Sequence, residues 1–198
     1  MAVSIDDIKK LKELTGIGLT DAKVALVEAD GDFDKALDAM RKKGLTKAEK
    51  KADREALEGV IDSYVHGGRI GVLVEVNCET DFVARTEGFK QFAHMIALQV
   101  ASMSPVYVTE AEIPAEELAR VRQEAEDTGA AKGKPAEIAA KIIDGQVSKY
   151  FADKVLLNQQ YIMDDSMTVG TYLKQTIGQV GENIVVRRFK RIELGVND

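Results

Sequence analysis

Two apolar-alternating runs, Gly59-Val60-Ile61-Asp62-Ser63-Tyr64-Val65-His66 and Ile70-Gly71-Val72-Leu73-Val74-Glu75-Val76, stand on either side of Gly67-Gly68. No other feature restricts the fold as tightly. Glycines tolerate the backbone angles of a tight hairpin turn, and period-two alternation on both sides marks paired strands. Val72, Val74 and Val76 fall on one face with Ile70, so that face is expected to be buried. The cover follows in the chain: Phe89, Phe92, Ala93, Ile96 and Val100 recur at helical spacing. Ile184-Val185-Val186-Arg187-Arg188-Phe189-Lys190-Arg191-Ile192-Glu193-Leu194, rich in β-branched and aromatic residues, reads as a third strand.

The remainder is helical. Ser4 can cap a helix carrying Ile5, Ile8, Leu11 and Leu14, which Gly16 and Gly18 stop. Thr20 can cap a second with Ala22, Ala25, Leu26 and Ala29 inward. Gly31-Asp32 starts a third, with Phe33, Ala36, Leu37 and Met40, which Gly44 ends. Residues 1–45 are therefore read as a three-helix domain and residues 46–57, dense in alternating charge, as a solvated helical linker. Residues 58–198 are read as a core in which helices cover a small antiparallel three-stranded sheet. After Ser104-Pro105 that core continues with a helix ending near Gly129, a Pro135-led helix running to Leu157, and an amphipathic piece from Thr168 to Val180. The fold class is α+β, helices then hairpin then helices then strand.

Composition narrows the function. The 198 residues carry a net charge of −6, which argues against a general polyanion binder. No run is long enough to span a bilayer, and MAVSIDDIKK places acids where a signal peptide needs an apolar core, so a cytoplasmic protein is expected. One cysteine, Cys78, forbids an intramolecular disulfide framework, and with only His66 and His94 beside it no zinc set is expected. Cys78 with either histidine as base is the only enzyme reading, and no spacing brings them together. Thr15-Gly16-Ile17-Gly18 lacks the Lys-Ser/Thr and the preceding strand of a phosphate loop and reads as a helix-helix turn. Arg187-Arg188-Phe189-Lys190-Arg191 has the residue types that grip phosphate and stack a base, yet alternation divides its charges between two faces unless a bulge intervenes.

Thr80-Asp81-Phe82-Val83, between the second strand and the covering helix, allows two readings. Thr80 or Asp81 caps a helix with Phe82 folded back as an apolar anchor, or a rigid turn presents Phe82 outward to a partner.

At this point two long stretches resemble a known family. Leu11-Lys12-Glu13-Leu14-Thr15-Gly16-Ile17-Gly18-Leu19-Thr20-Asp21-Ala22-Lys23-Val24-Ala25-Leu26 is similar to the N-terminal signature of bacterial elongation factor Ts, and Glu75-Val76-Asn77-Cys78-Glu79-Thr80-Asp81-Phe82-Val83-Ala84-Arg85 to its second. The similarity runs on through Gly133-Lys134-Pro135 and Gly181-Glu182-Asn183, covering essentially the whole chain. The resemblance implies a guanine-nucleotide exchange factor for elongation factor Tu, a protein that neither makes nor breaks bonds and needs no cofactor or metal. It implies that an N-terminal domain similar to ubiquitin-associated domains docks on the GTPase through Gly16, Ile17, Gly18 and Leu19. It further implies that Thr80, Asp81, Phe82 and Val83 form the exchange turn, whose Asp-Phe pair enters between two helices of the GTPase near its magnesium and phosphate sites. Longer members carry two core halves, whereas this chain has room for one, so a homodimer is expected, through the last strand and its neighbours. No direct contact with nucleic acid or membrane is expected. Some short members have a cysteine where Lys190 stands, so a covalent dimer there is excluded. Gln146 and Gln160 replace residues common in the family, outside both signatures. The competing class is a general interaction module, in which the three-helix domain binds a ubiquitin-like or nascent-chain partner.

Overall fold

The computed structural model describes residues 3–15, 18–130 and 132–196. Helices α1 (Ile5–Thr15), α2 (Leu19–Glu28) and α3 (Phe33–Glu49) lead into the hairpin β1 (Glu58–His66) and β2 (Ile70–Cys78). A single turn of helix, α4 (Asp81–Ala84), precedes the long α5 (Glu87–Met103). Then come α6 (Ala115–Asp127), α7 (Ala136–Ala152), the short strands β3 (Gln160–Tyr161) and β4 (Asp164–Thr168), α8 (Val169–Val180) and β5 (Ile184–Glu193). The class is α+β: N-terminal helices, then an antiparallel sheet in the order β1-β2-β5 with helices packed on it.

Local chemistry accounts for most of these elements. Gly67 and Gly68 both take left-handed backbone angles, φ 56° and 69°, and the Arg69 N–H closes the turn on the His66 carbonyl at 3.0 Å. Val72, Val74 and Val76 of the central strand are buried against Phe89, Phe92, Ile96 and Val100 of α5. Burying each such side chain contributes about 1.5–3 kcal/mol, which makes this layer the main stabilising unit. The first three helices enclose a smaller core of Leu11, Ala22, Ala25, Leu26, Ala36 and Met40. Ser4 Oγ accepts from the Asp6 N–H and Asp32 Oδ1 from the Lys35 N–H, both at 3.1 Å, capping α1 and α3 as expected. Helix α2 begins earlier than expected, with Gly18 at its N-cap and no side-chain cap. Ile5 and Leu14, in the first and last turns of α1, are exposed rather than inward.

The larger departure is α3, which passes through Gly44 instead of stopping there. Its last turns cross α8 where Gly44 meets Gly178, so closely that a Cβ on Gly178 would lie 3.1 Å from the Gly44 Cα. Glycine acts here as a contact surface, and packing against α8 offsets its poor helix propensity. Beyond Glu49 the charged stretch leaves the helix in turns rather than continuing as one, and Ala48 and Ala56 are buried within it. Helix α7 likewise ends at Ala152, short of Leu157, because Val155 is pulled into the core and its strand-like bridge to Tyr107. The β3-β4 hairpin was not expected from the sequence. Among the described residues no helix is long and apolar enough to cross a membrane.

Candidate functional site

Strand β2 ends at Cys78, and the chain turns at once into α4. Thr80 takes extended angles and its Oγ1 accepts from the Val83 N–H at 3.4 Å, so Thr80 is the N-cap. The capping half of one reading and the outward half of the other thus coexist. Phe82 is 79% exposed, the most exposed large apolar side chain among the described residues, while Ala84 two residues on is buried. Val83 is half-buried against the main core. Asp81 is half-buried and its carboxylate meets the Arg85 guanidinium at 2.8 Å, one turn along. Thr86 Oγ1 then caps α5 by accepting from the Phe89 N–H at 3.3 Å. Two N-caps six positions apart fix where both helices begin and leave Phe82 between them, facing solvent.

The turn is held from behind by residues distant in sequence. Oε2 of Glu182 accepts the Thr80 N–H at 3.0 Å, and Oε1 accepts the Thr80 hydroxyl at 2.7 Å. Glu79 Oε1 accepts the Asn183 N–H at 2.6 Å and pairs with Arg54 at 3.4 Å through Oε2. The Asn183 side-chain amide, itself buried, donates to the carbonyls of Ala52 at 3.3 Å and Arg54 at 2.7 Å. Sequence reasoning placed residues 181–183 only as the entry to the last strand. The contacts of Glu182 and Asn183 span more than a hundred residues, and no local spacing signals them.

Gly18 and Leu19, expected as docking residues, are exposed at the start of α2, and Gly16 and Ile17 lie outside the described residues. Nothing in the described geometry resembles a reacting centre. The Cys78 thiol donates to the Thr80 carbonyl at 3.2 Å, and burial first, then the Glu182 charge, push it up to about 11. The histidines are engaged elsewhere, His94 with Asp62 at 2.9 Å and His66 with the Tyr64 hydroxyl at 3.0 Å. Among the described residues no three His, Cys, Asp or Glu side chains are grouped to hold a metal. The basic run of β5 does contain a bulge, since Glu75 pairs with Arg188 and Val76 with Val186, leaving Arg187 as the extra residue. Its three arginines are nonetheless taken up within the chain. Arg187 bonds Asn77 and the Ala56 carbonyl, both at 3.0 Å, Arg188 bonds Glu75 at 2.7 Å and Arg191 pairs with Glu193 at 2.7 Å.

Residues 44–180 match the sequence model of a family described as elongation factor TS. A protein of Geobacter sp. (strain M21) named elongation factor Ts is 48% identical over 196 residues, covering 98% of this chain and 91% of that protein. One of the same name from Fervidobacterium nodosum is 47% identical over 196 residues, covering 98% of this chain and the whole of its own length. Another, from Desulfosudis oleivorans, is 45% identical over 194 residues and matches 98% of both chains. With agreement of this depth from end to end, the chain belongs to the elongation factor Ts family.

Proposed function

We propose that this protein is a guanine-nucleotide exchange factor for elongation factor Tu, acting in the cytoplasm during translation elongation, and that residues 80–83 are its exchange turn. The observation that carries this reading is Phe82, an aromatic side chain left in solvent on a turn fixed by two N-caps. Inserted between two helices of the GTPase near its magnesium and phosphate sites, Phe82 acts as a wedge. Asp81, released from Arg85, supplies the polar neighbour. Gly16, Ile17, Gly18 and Leu19, of which Gly18 and Leu19 are exposed at the start of α2, dock the three-helix part on the nucleotide-binding domain.

The thermodynamics require no bond chemistry. A factor that binds the empty GTPase more tightly than the nucleotide-bound form weakens nucleotide binding by the same free energy. Burying Phe82 contributes about 1.5–3 kcal/mol, and each 1.4 kcal/mol is about tenfold in affinity. One side chain thus supplies one to two decades of coupling, and loss of phosphate and magnesium contacts in the GTPase supplies the rest. Stopped-flow release of a fluorescent GDP from elongation factor Tu tests the reading. The protein is expected to accelerate release strongly, and Phe82→Ala to lose about ten- to a hundredfold of that acceleration while remaining folded. Full acceleration by Phe82→Ala would remove the wedge and keep the exchange; none by either protein would remove both.

A second observation favours a homodimer. The sheet face opposite α5 carries Ile61, Val65, Leu73 and Ile192, each more than half exposed. Val65 and Ile192 flank Gly71 across the strands, and Leu73 lies between Ser63 and Lys190. An antiparallel sheet that faces water ordinarily presents polar residues there. A second copy of the chain, bringing the same face, covers this patch without a covalent link.

A further inference from the structure

Helix α4 is four residues long, too short to hold its own shape, yet it carries the side chain whose direction matters most. A wedge that must be ordered on binding loses affinity to that ordering, so what fixes the turn beforehand contributes to exchange. Glu182 is the group in the right place. Both of its carboxylate oxygens are committed to one residue, Thr80, through the backbone N–H at 3.0 Å and the hydroxyl at 2.7 Å. Because the hydroxyl spends its proton on Glu182, its lone pairs remain to accept the Val83 N–H, so the clamp and the N-cap use the same oxygen cooperatively. The clamp is anchored in turn. Gly181 ends α8 in a left-handed conformation, its N–H returning to the Ile177 carbonyl at 2.9 Å, and its carbonyl accepts the Lys51 ammonium. Asn183, on the other side of Glu182, is buried and bonded to Glu79, Ala52 and Arg54. A carboxylate serving only solubility is not expected between two such anchors with both oxygens occupied.

We infer that Glu182 is a positioning residue of the exchange turn, holding Thr80 so that Phe82 is presented in the orientation in which it enters the partner. The inference rests on the proposed reading of residues 80–83. It predicts a particular kinetic signature: docking through the rest of the surface is retained, whereas the step that expels nucleotide slows.

The test measures GDP release from elongation factor Tu over a range of factor concentrations, giving a maximal rate and a half-saturating concentration, with the thermal midpoint of each variant alone. Glu182→Gln keeps size and can accept only one of the two bonds. Its maximal rate is expected to fall about tenfold, as for loss of a hydrogen bond to a charged group, with half-saturation changed less than about twofold. If the effect passes through Thr80, the double variant Glu182→Gln/Thr80→Val is no slower than Thr80→Val alone, within about twofold. A maximal rate for Glu182→Gln equal to that of the unchanged protein, with Phe82→Ala slow in the same assay, overturns the inference and leaves the exchange turn standing. Full additivity in the double variant also overturns it, since the effect then bypasses Thr80. A fast Phe82→Ala removes the exchange-turn reading itself and the inference with it. Should Glu182→Gln fail to fold, the Thr80 pair decides. A greater loss in Thr80→Val than in Thr80→Ser, which keeps the hydroxyl, supports the clamp, and equal losses overturn it.

Discussion

Cys78 lies immediately behind the turn of residues 80–83, fully buried, with its proton on the Thr80 carbonyl. Its thiol is held up at about 11 against an ordinary 9.0, chiefly by burial and then by the charge of Glu182. At pH 8 the thiolate population is therefore about a hundredfold below that of an ordinary cysteine, before access is considered. Reaction with a disulfide reagent is expected to be at least about a hundredfold slower in the native protein than in urea, and equal rates would show that the thiol is open. The same shift fixes a pH dependence. Between the two values the unfolded chain releases its proton first, so stability falls as pH rises from about 9 towards 11. Urea midpoints at pH 8 and 10.5 should therefore drop further for the protein than for Cys78→Ala. Phe82 shows the opposite fate for an apolar residue only four positions away, since capping by Thr80 and Thr86 determines which side chains face the core and which do not.

At the scale of elements, two glycines in helices make opposite predictions. In α7 a Cβ on Gly145 meets nothing within 4 Å, so Gly145→Ala is expected to stabilise the protein by about 0.5–1 kcal/mol through helix propensity alone. In α8 a Cβ on Gly178 meets the backbone of Gly44, and Gly178→Leu is expected to cost about 1–3 kcal/mol by forcing α3 away. Denaturant midpoints of the two variants, moving in opposite directions, check this; a stabilising Gly178→Leu would mean that the crossing is loose. That crossing also marks what the sequence made legible and what it did not. The hairpin and the covering helix follow from periods of two and 3.6, the last strand from its β-branched and aromatic residues, and the structure has them all. Gly44 has the local look of a helix stop, but a glycine's meaning in a helix depends on its neighbour in space, here more than a hundred residues away. The two-residue strand β3 is too short to show any period. The turn of residues 80–83 stands out by its residues, whereas the carboxylate bonded to Thr80 does not, because Glu182 and Thr80 share no local pattern.

For the whole molecule, the open question of assembly turns on one sheet face. Strands β1, β2 and β5 bury one side under α5 and leave Ile61, Val65, Leu73 and Ile192 on the other. Placed face to face, two such sheets pack at about 10 Å with side chains interdigitating, and a stable pair needs about 1,200–2,000 Å² of buried surface. The patch has its own constraint: Lys190 stands opposite Leu73, so a partner sheet must leave that ammonium at the rim, in water. Leu73→Lys puts a second cation at the centre of the patch, beside the first, without touching the buried face. The unchanged protein is expected to sediment at twice the chain mass at micromolar concentration, and Leu73→Lys at the chain mass, with its thermal midpoint no longer dependent on concentration. Because the proposed exchange turn leaves from the end of β2 while the patch lies on its outward side, the separated variant should still release GDP from elongation factor Tu when its own turn suffices. A monomeric variant that docks but no longer exchanges would instead mean that each GTPase needs both chains, the second supplying contacts that a single core lacks. A monomeric parent protein would remove the dimer and leave the apolar sheet face to another partner.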